Sequence, residues 1–370
     1  MKQPFDDDDL EQIDLQEESR DYRYDIEETD NYEEDTEDDQ ESEEASARLS
    51  KIIQIIIIAF IVIILFSSVF LLIRWQRGTA PDATDLNNDA AYDVESEDFF
   101  VPFDPTGIEG YVNDGENNIV ILGDDTILHA QGENGISDLI AESTGANVTT
   151  LALSGSCIGL QEKGYTQEYA EDAYNLYYII TSICAGDMGN YDLMFAALSC
   201  IDDNSSYYNY WDAIHKVDFN KVDTLIICYG YNDYLIGRRL IGDEAYSQQP
   251  YGSENSTAGA LDDCLRLLTE RFPYMQVIVV SPSFCFVPDE DGNMTGADVY
   301  NTGTGTLGDY VVHMKLVSQD NRVSFVDNYF FEAFNYANYE DYLEEDGAFP
   351  NEAGRRLIAD HIKDFIYIPQ

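Results

Sequence analysis

Positive charge is scarce in this sequence. Against 72 Asp and Glu it sets only 19 Lys and Arg, a formal net charge of −53. Phosphate affinity comes from counterions released by a basic surface, so the balance excludes a nucleic-acid binder and argues against docking on anionic lipid. Histidine is nearly as rare, with His129, His215, His313 and His361 dispersed along the chain. The six cysteines include no C-x-x-C and share no Cys/His spacing of a zinc site. Cys228 and Cys285, in or beside apolar strand runs, read as small buried residues. Cys184 and Cys200 flank a predicted loop and are the pair expected to bridge. No cofactor is expected. A cleavable signal peptide is not expected either, because the first long apolar run starts at Ile52 with no small-residue cleavage pattern behind it.

What is present divides the chain into four zones. Residues 1–47 are saturated with Asp and Glu and cannot bury enough apolar surface to offset their ordering entropy, so an acidic disordered tail is expected. Its chemistry suits a cationic partner or simple solvation. Ile52 to Ile73 reads IIQIIIIAFIVIILFSSVFLLI, about 33 Å at ~1.5 Å per residue, the length of a transmembrane helix. Arg48 and Lys51 on one side nearly balance Arg74 and Arg77 on the other, so charge leaves the orientation open. Residues 75–115 form an acidic linker whose FFVPF patch (99–103) is placed to dock on the domain that follows. Residues 116–370 are mixed and globular.

Within that last zone the organising stretch is Val222 to Tyr234, VDTLIICYGYNDY. The run Leu225 to Tyr229 is apolar without alternation, as in a strand covered on both faces, and it stops at Gly230. Asn232 and Asp233 then stand where open α/β sheets place their chemistry, beyond the carboxyl ends of the strands. Further strands are predicted at 117–125, 147–155, 276–282 and 322–327. Helices are predicted from Asp125 to about Thr144 and over 165–185, 257–271, 306–319 and 351–365. Strands separated by helices predict one α/β domain, a parallel sheet with helices on both faces.

Four segments set small or polar residues at strand ends or before the last helix: GDDT (123–126), LSGS (153–156), GYND (230–233) and DGAFPNEAG (346–354). In this order the domain resembles the SGNH or GDSL hydrolases, esterases and lipases of flavodoxin-like, three-layer layout. The resemblance implies an anion-stabilising hole lined by Gly155 and Asn232, a nucleophile at Asp125, and a general base at Phe349 preceded by the orienting Asp346. Tyr231, Asp233 and Phe349 are the expected substrate contacts. The family has serine and histidine at 125 and 349; this chain has neither. The resemblance also favours the tail inside and the domain outside the cell.

Acyl transfer needs a hydroxyl or thiol whose proton a neighbouring base removes, and aspartate and phenylalanine supply neither. Loss of either group costs about 10⁶ in turnover. Asp125 reads instead as the N-cap of the following helix or, less simply, as a base on water beside Asp346. A metal shared by these two carboxylates lacks a histidine to complete it. Thr126 stands one position late for a nucleophile, His129 is one helical turn from Asp125, His361 is too far along its helix, and Cys157 reads as a packed thiol. Tyrosines around 207–211 and 229–234 suit either a carbohydrate surface or plain packing. The leading reading is a membrane-anchored, catalytically impaired relative that binds an acylated glycan or peptide at the cell surface. The alternatives are an active esterase with another nucleophile or base, and a transmembrane sensor or scaffold acting through its acidic tail.

Overall fold

The runs NIVILG, TLIIC and QVIVV become β1 (Asn118–Gly123), β3 (Thr224–Cys228) and β4 (Gln276–Val280), the last two buried at every position. In the computed structural model, which describes residues 98–108, 111, 113–185, 191–243, 250–331 and 334–368, they form the centre of a five-stranded sheet. The edges are β2 (Asn147–Ala152) and the short β7 (Ser324–Val326), giving the order β2-β1-β3-β4-β7 with every pairing parallel. This is the flavodoxin-like order, in which the chain reverses direction across the sheet between β1 and β3. β2 reads NVTTLA and is partly exposed, as an edge strand is.

Right-handed crossovers decide which helix covers which face. The step from β1 to β2 runs one way across the sheet and carries α1 (Asp125–His129) and α2 (Ile136–Thr144). The later steps run the other way and carry α3 (Leu176–Cys184), α4 (Asp192–Ala197), α5 (Ser205–Ile214), α6 (Tyr231–Leu235), α7 (Thr257–Arg271) and α8 (Leu307–Asp320). Accordingly α3 packs on α7 and α7 on α8, whereas α2 packs on the closing helix α10 (Glu352–Lys363), which follows the single-turn α9 (Tyr339–Tyr342).

Several expectations change. The helix expected from Asp125 to Thr144 is two helices, because Gly132 (φ 101°) and Asn134 (φ 59°) turn the chain between them. The stretch 165–185 begins as a 3₁₀ segment, Gln167–Tyr174, and becomes α-helical only after Asn175. A hairpin, β5 (Phe286–Pro288) with β6 (Met294–Gly296), had no counterpart in the sequence reading. The expected Cys184–Cys200 bridge is absent: all six cysteines are free. Cys184 lies half-buried within electrostatic reach of Arg271 on α7, whereas the exposed Cys200 lies beside Ser199 and Tyr165.

The FFVPF patch does dock. Phe99 forms an antiparallel bridge with Phe325 at the outer edge of β7, donating its N–H at 2.9 Å and accepting at 2.8 Å. Phe100 packs edge-on against Phe365 and Phe103 against Tyr367. Asp98 accepts from Asp327 N at 2.8 Å and lies 2.8 Å from His361 Nε2. The strap covers an edge that would otherwise offer unpaired backbone groups. The chain divides into two units, Met1–Thr84 and Asp85–Gln370, and the described residues all belong to the second. The tail (1–47), the apolar run (52–73) and the linker as far as residue 97 lie outside the described residues. Among the described residues no helix is long and apolar enough to cross a membrane.

Candidate functional site

Parallel register brings three strand ends to one level. Gly123, the last residue of β1, pairs with Ala152 of β2 and Cys228 of β3, so the loops that follow all open on the crevice between them. Asp124 and Asp125 come from the first loop, Ser154 and Gly155 from the second, Tyr231 to Asp233 from the third.

The helix cap is Asp124, not Asp125. Asp124 has extended backbone angles and is fully buried, and its Oδ1 accepts from Thr126 N at 2.9 Å and from Thr126 Oγ1 at 2.7 Å. Its Oδ2 accepts from the backbone N–H groups of Tyr231 at 3.2 Å and Asn232 at 3.5 Å, which ties the β1 loop to the β3 loop. Burial pushes the Asp124 carboxyl up to about 7 against the opposing pull of the Thr126 bonds.

With the cap position filled, Asp125 is free to face the crevice. Its Oδ2 accepts from Gly155 N–H at 2.8 Å and from Asn232 Nδ2 at 2.7 Å. These are the two donors expected to line the anion-stabilising hole, and the carboxylate of Asp125 fills it. The other oxygen, Oδ1, accepts from Ser154 Oγ at 2.7 Å and lies 3.9 Å from His129 Nε2. Gly155 has a φ of 77°, a left-handed conformation that glycine adopts without strain and that aims its N–H inward. Asn232, only 6% exposed, is held from behind by a second bond from Nδ2 to Ser156 O at 3.1 Å.

Other expected contacts are placed elsewhere. Asp233 is fully buried, and its carboxylate accepts from Ile158 N at 2.7 Å, Gly159 N at 3.1 Å and Thr257 Oγ1 at 2.9 Å. It pins the β2 loop to the start of α7, and no face is left for a substrate. Tyr231 is also buried, its hydroxyl pKa raised chiefly by burial, and its ring meets Phe349 edge-on at 5.4 Å. Asp346 is exposed and spends Oδ1 on the backbone N–H of Ala348 at 3.0 Å, a local turn bond.

Phe349, where the resemblance implied a base, stacks flat on His129, with ring centroids 4.0 Å apart and 12° between planes. An imidazole therefore does stand beside the crevice, delivered from α1. His361 serves the strap instead, between Asp98 and Asn328 Oδ1 at 3.0 Å. Cys157 is buried, its thiol pushed up by desolvation, so it is a packed thiol. Ser154 was the residue that sequence reasoning passed over. Its signal was there in LSGS, directly before the hole glycine.

No family model matches the chain, and no curated protein sequence matches it. Solved structures do match. They include a protein from Lactobacillus plantarum (17% identity, TM-score 0.44, 69% of this chain and 97% of that one). A lipase/acylhydrolase from Enterococcus faecalis matches at 14% identity and TM-score 0.38, over 69% of this chain and 99% of that one. Est24, a carbohydrate acetylesterase from Sinorhizobium meliloti, matches at 14% identity and TM-score 0.38, over 67% and 97%.

Proposed function

We propose that the domain is an SGNH-hydrolase-like module that has lost serine-type acyl transfer and acts as a binding protein, anchored by residues 52–73 with the domain at the cell surface. One observation carries the loss. The oxygen that occupies the hole, 2.8 Å from Gly155 N and 2.7 Å from Asn232 Nδ2, belongs to Asp125 itself. A substrate's oxyanion would need those same donors at about 2.7–3.1 Å, and it would meet a resident negative charge there. The nucleophilic hydroxyl is gone from position 125 and the imidazole from position 349.

The ligand class follows from the crevice that remains. An acyl carbonyl has no hole to enter, so the glycan or peptide part of an acylated ligand is what this surface meets. The half-buried Tyr207 lies within electrostatic reach of Asp125, and His129 presents an exposed ring backed by Phe349. A neutral, hydroxyl-rich chain stacking on rings beside a carboxylate fits that chemistry.

The test is hydrolysis of short acyl esters by the full-length chain in detergent, beside Asp125→Ala and the double variant Asp125→Ser/Phe349→His. The native chain and Asp125→Ala are expected to be equally inactive, with turnover only in the double variant. Hydrolysis by the native chain that Asp125→Ala abolishes would overturn the reading.

A further inference from the structure

The arrangement that disables attack on an acyl carbon suits a different reaction. We propose that Asp125 is a carboxylate nucleophile toward an sp³ carbon bearing an anionic leaving group, and that His129 activates the water that hydrolyses the resulting aspartyl ester. The inference goes beyond the binding role and rests only on the geometry at Asp125.

The two carboxylate oxygens have unequal surroundings. Oδ2 sits between Gly155 N–H and Asn232 Nδ2, at 2.8 and 2.7 Å. Oδ1 faces the exposed side, where Ser154 Oγ donates at 2.7 Å from a side chain free to rotate into solvent. Attack by Oδ1 on R–CH₂–X forms the C–O bond as the C–X bond breaks, and X⁻ leaves with the bonding pair. Asp125 then carries an alkyl ester whose carbonyl oxygen is Oδ2.

Hydrolysis of that ester is where the hole acts. Water adds to Cγ of Asp125, and the negative charge that develops falls on Oδ2. Its two donors already lie within the 2.7–3.1 Å that oxyanion stabilisation requires. His129 Nε2, 3.9 Å from Oδ1, is near enough for one bent water to touch both. The imidazole takes the water's proton and, being exposed, passes it to solvent. Collapse of the tetrahedral adduct expels R–CH₂–O⁻, which is protonated to the alcohol. The sum is R–CH₂–X and water giving R–CH₂–OH, X⁻ and a proton. Phe349, flat beneath His129, is the positioning residue for the base.

The probe is 2-bromoethanol, small enough to test nucleophilicity without a built recognition site. Full-length chain in detergent is incubated with it in ¹⁸O-enriched water, and adducts are located by peptide mass, with thiol adducts at Cys200 counted apart. In the native chain ¹⁸O is expected to enter the Asp125 carboxyl while bromide is released. His129→Gln should accumulate the Asp125 ester, its hydrolysis slowed by about 10²–10⁴. Ser154→Ala should alkylate faster, and Asp125→Asn not at all. Two results overturn the proposal: alkylation of Asp125 no faster than that of exposed carboxylates such as Asp346, or an ester equally long-lived in native and His129→Gln chains. Acyl-ester turnover is a separate assay on separate variants, so failure of the two readings is distinguishable.

Discussion

His129 lies flat against Phe349, ring on ring, at 4.0 Å between centroids. The side chain at the position where the resemblance implied a base therefore holds an imidazole rather than supplying one. That imidazole is 3.9 Å from Asp125 Oδ1, and a serine at 125 would be shorter by one atom and farther still. Asp125→Ser alone is expected to fall short of Asp125→Ser/Phe349→His by about 10²–10⁴ in acyl-ester turnover, the usual contribution of a positioned base. Parity between the two variants would mean that His129 reaches a serine unaided.

Asn232 is a keystone of stability as well as of the site. Asn232→Ala removes one amide that serves Asp125 Oδ2 and Ser156 O together. Bonds to charged groups are worth about 1.5–3 kcal/mol, which sets the expected loss. The shift of the urea midpoint measures it. Asn232→Asp should lose more, because two carboxylates would then face each other.

Asp124 makes stability depend on pH. Its carboxyl is raised from 3.8 to about 7 by burial, so between those values the folded chain holds a proton that the unfolded chain has released. The group's contribution is therefore fully present below 3.8 and is lost as pH rises through about 7. Asp172, Asp223 and Asp233 are raised by burial too and bend the curve the same way. Denaturant midpoints are expected to fall from mildly acid to neutral pH, with a shallower slope in Asp124→Asn. A rising midpoint over that window would contradict this assignment.

The strap depends on the backbone of Phe99. Phe99→Pro removes the N–H that reaches Phe325 O at 2.9 Å, and proline fits poorly opposite a strand edge. Hydrogen exchange at the Phe325 amide, which donates to Phe99 O at 2.8 Å, is expected to accelerate while exchange in β3 stays slow. An unchanged Phe325 amide would show that β7 holds without its cover.

Thiol chemistry separates the six free cysteines. Cys200 is exposed, Cys184 is half-buried with its thiol pushed up to about 11, and the other four are buried. One fast-reacting thiol is expected in the native chain at neutral pH, and six after unfolding. On intact cells a membrane-impermeant maleimide should label Cys200 if the domain is outside. Labelling seen only after lysis would place the domain inside.

Much of the sheet was legible because parallel strands covered on both faces write continuous apolar runs, as TLIIC and QVIVV do. The long helix Thr257–Arg271 was equally plain from its leucine spacing. The hairpin Phe286–Pro288 with Met294–Gly296 was not, since three-residue strands carry too short a pattern to show. At the site, Gly155 and Asn232 could be named only through the resemblance of LSGS and GYND to the hydrolase motifs, and which of two adjacent aspartates caps the helix is a matter of backbone angle. Asp124 takes the cap, and that choice turns Asp125 toward Gly155 and Asn232. Asp233 misled for a related reason: a strand-end polar residue reads the same whether it faces ligand or holds a loop.

On the proposed reading, this protein carries a competitor of its own. A tethered carboxylate stands before Gly155 and Asn232 at an effective concentration that a dissolved anion must exceed, commonly in the millimolar range or above for a short tether. Boronates and phosphonates, which trap serine esterases by imitating the oxyanion, would find the place taken.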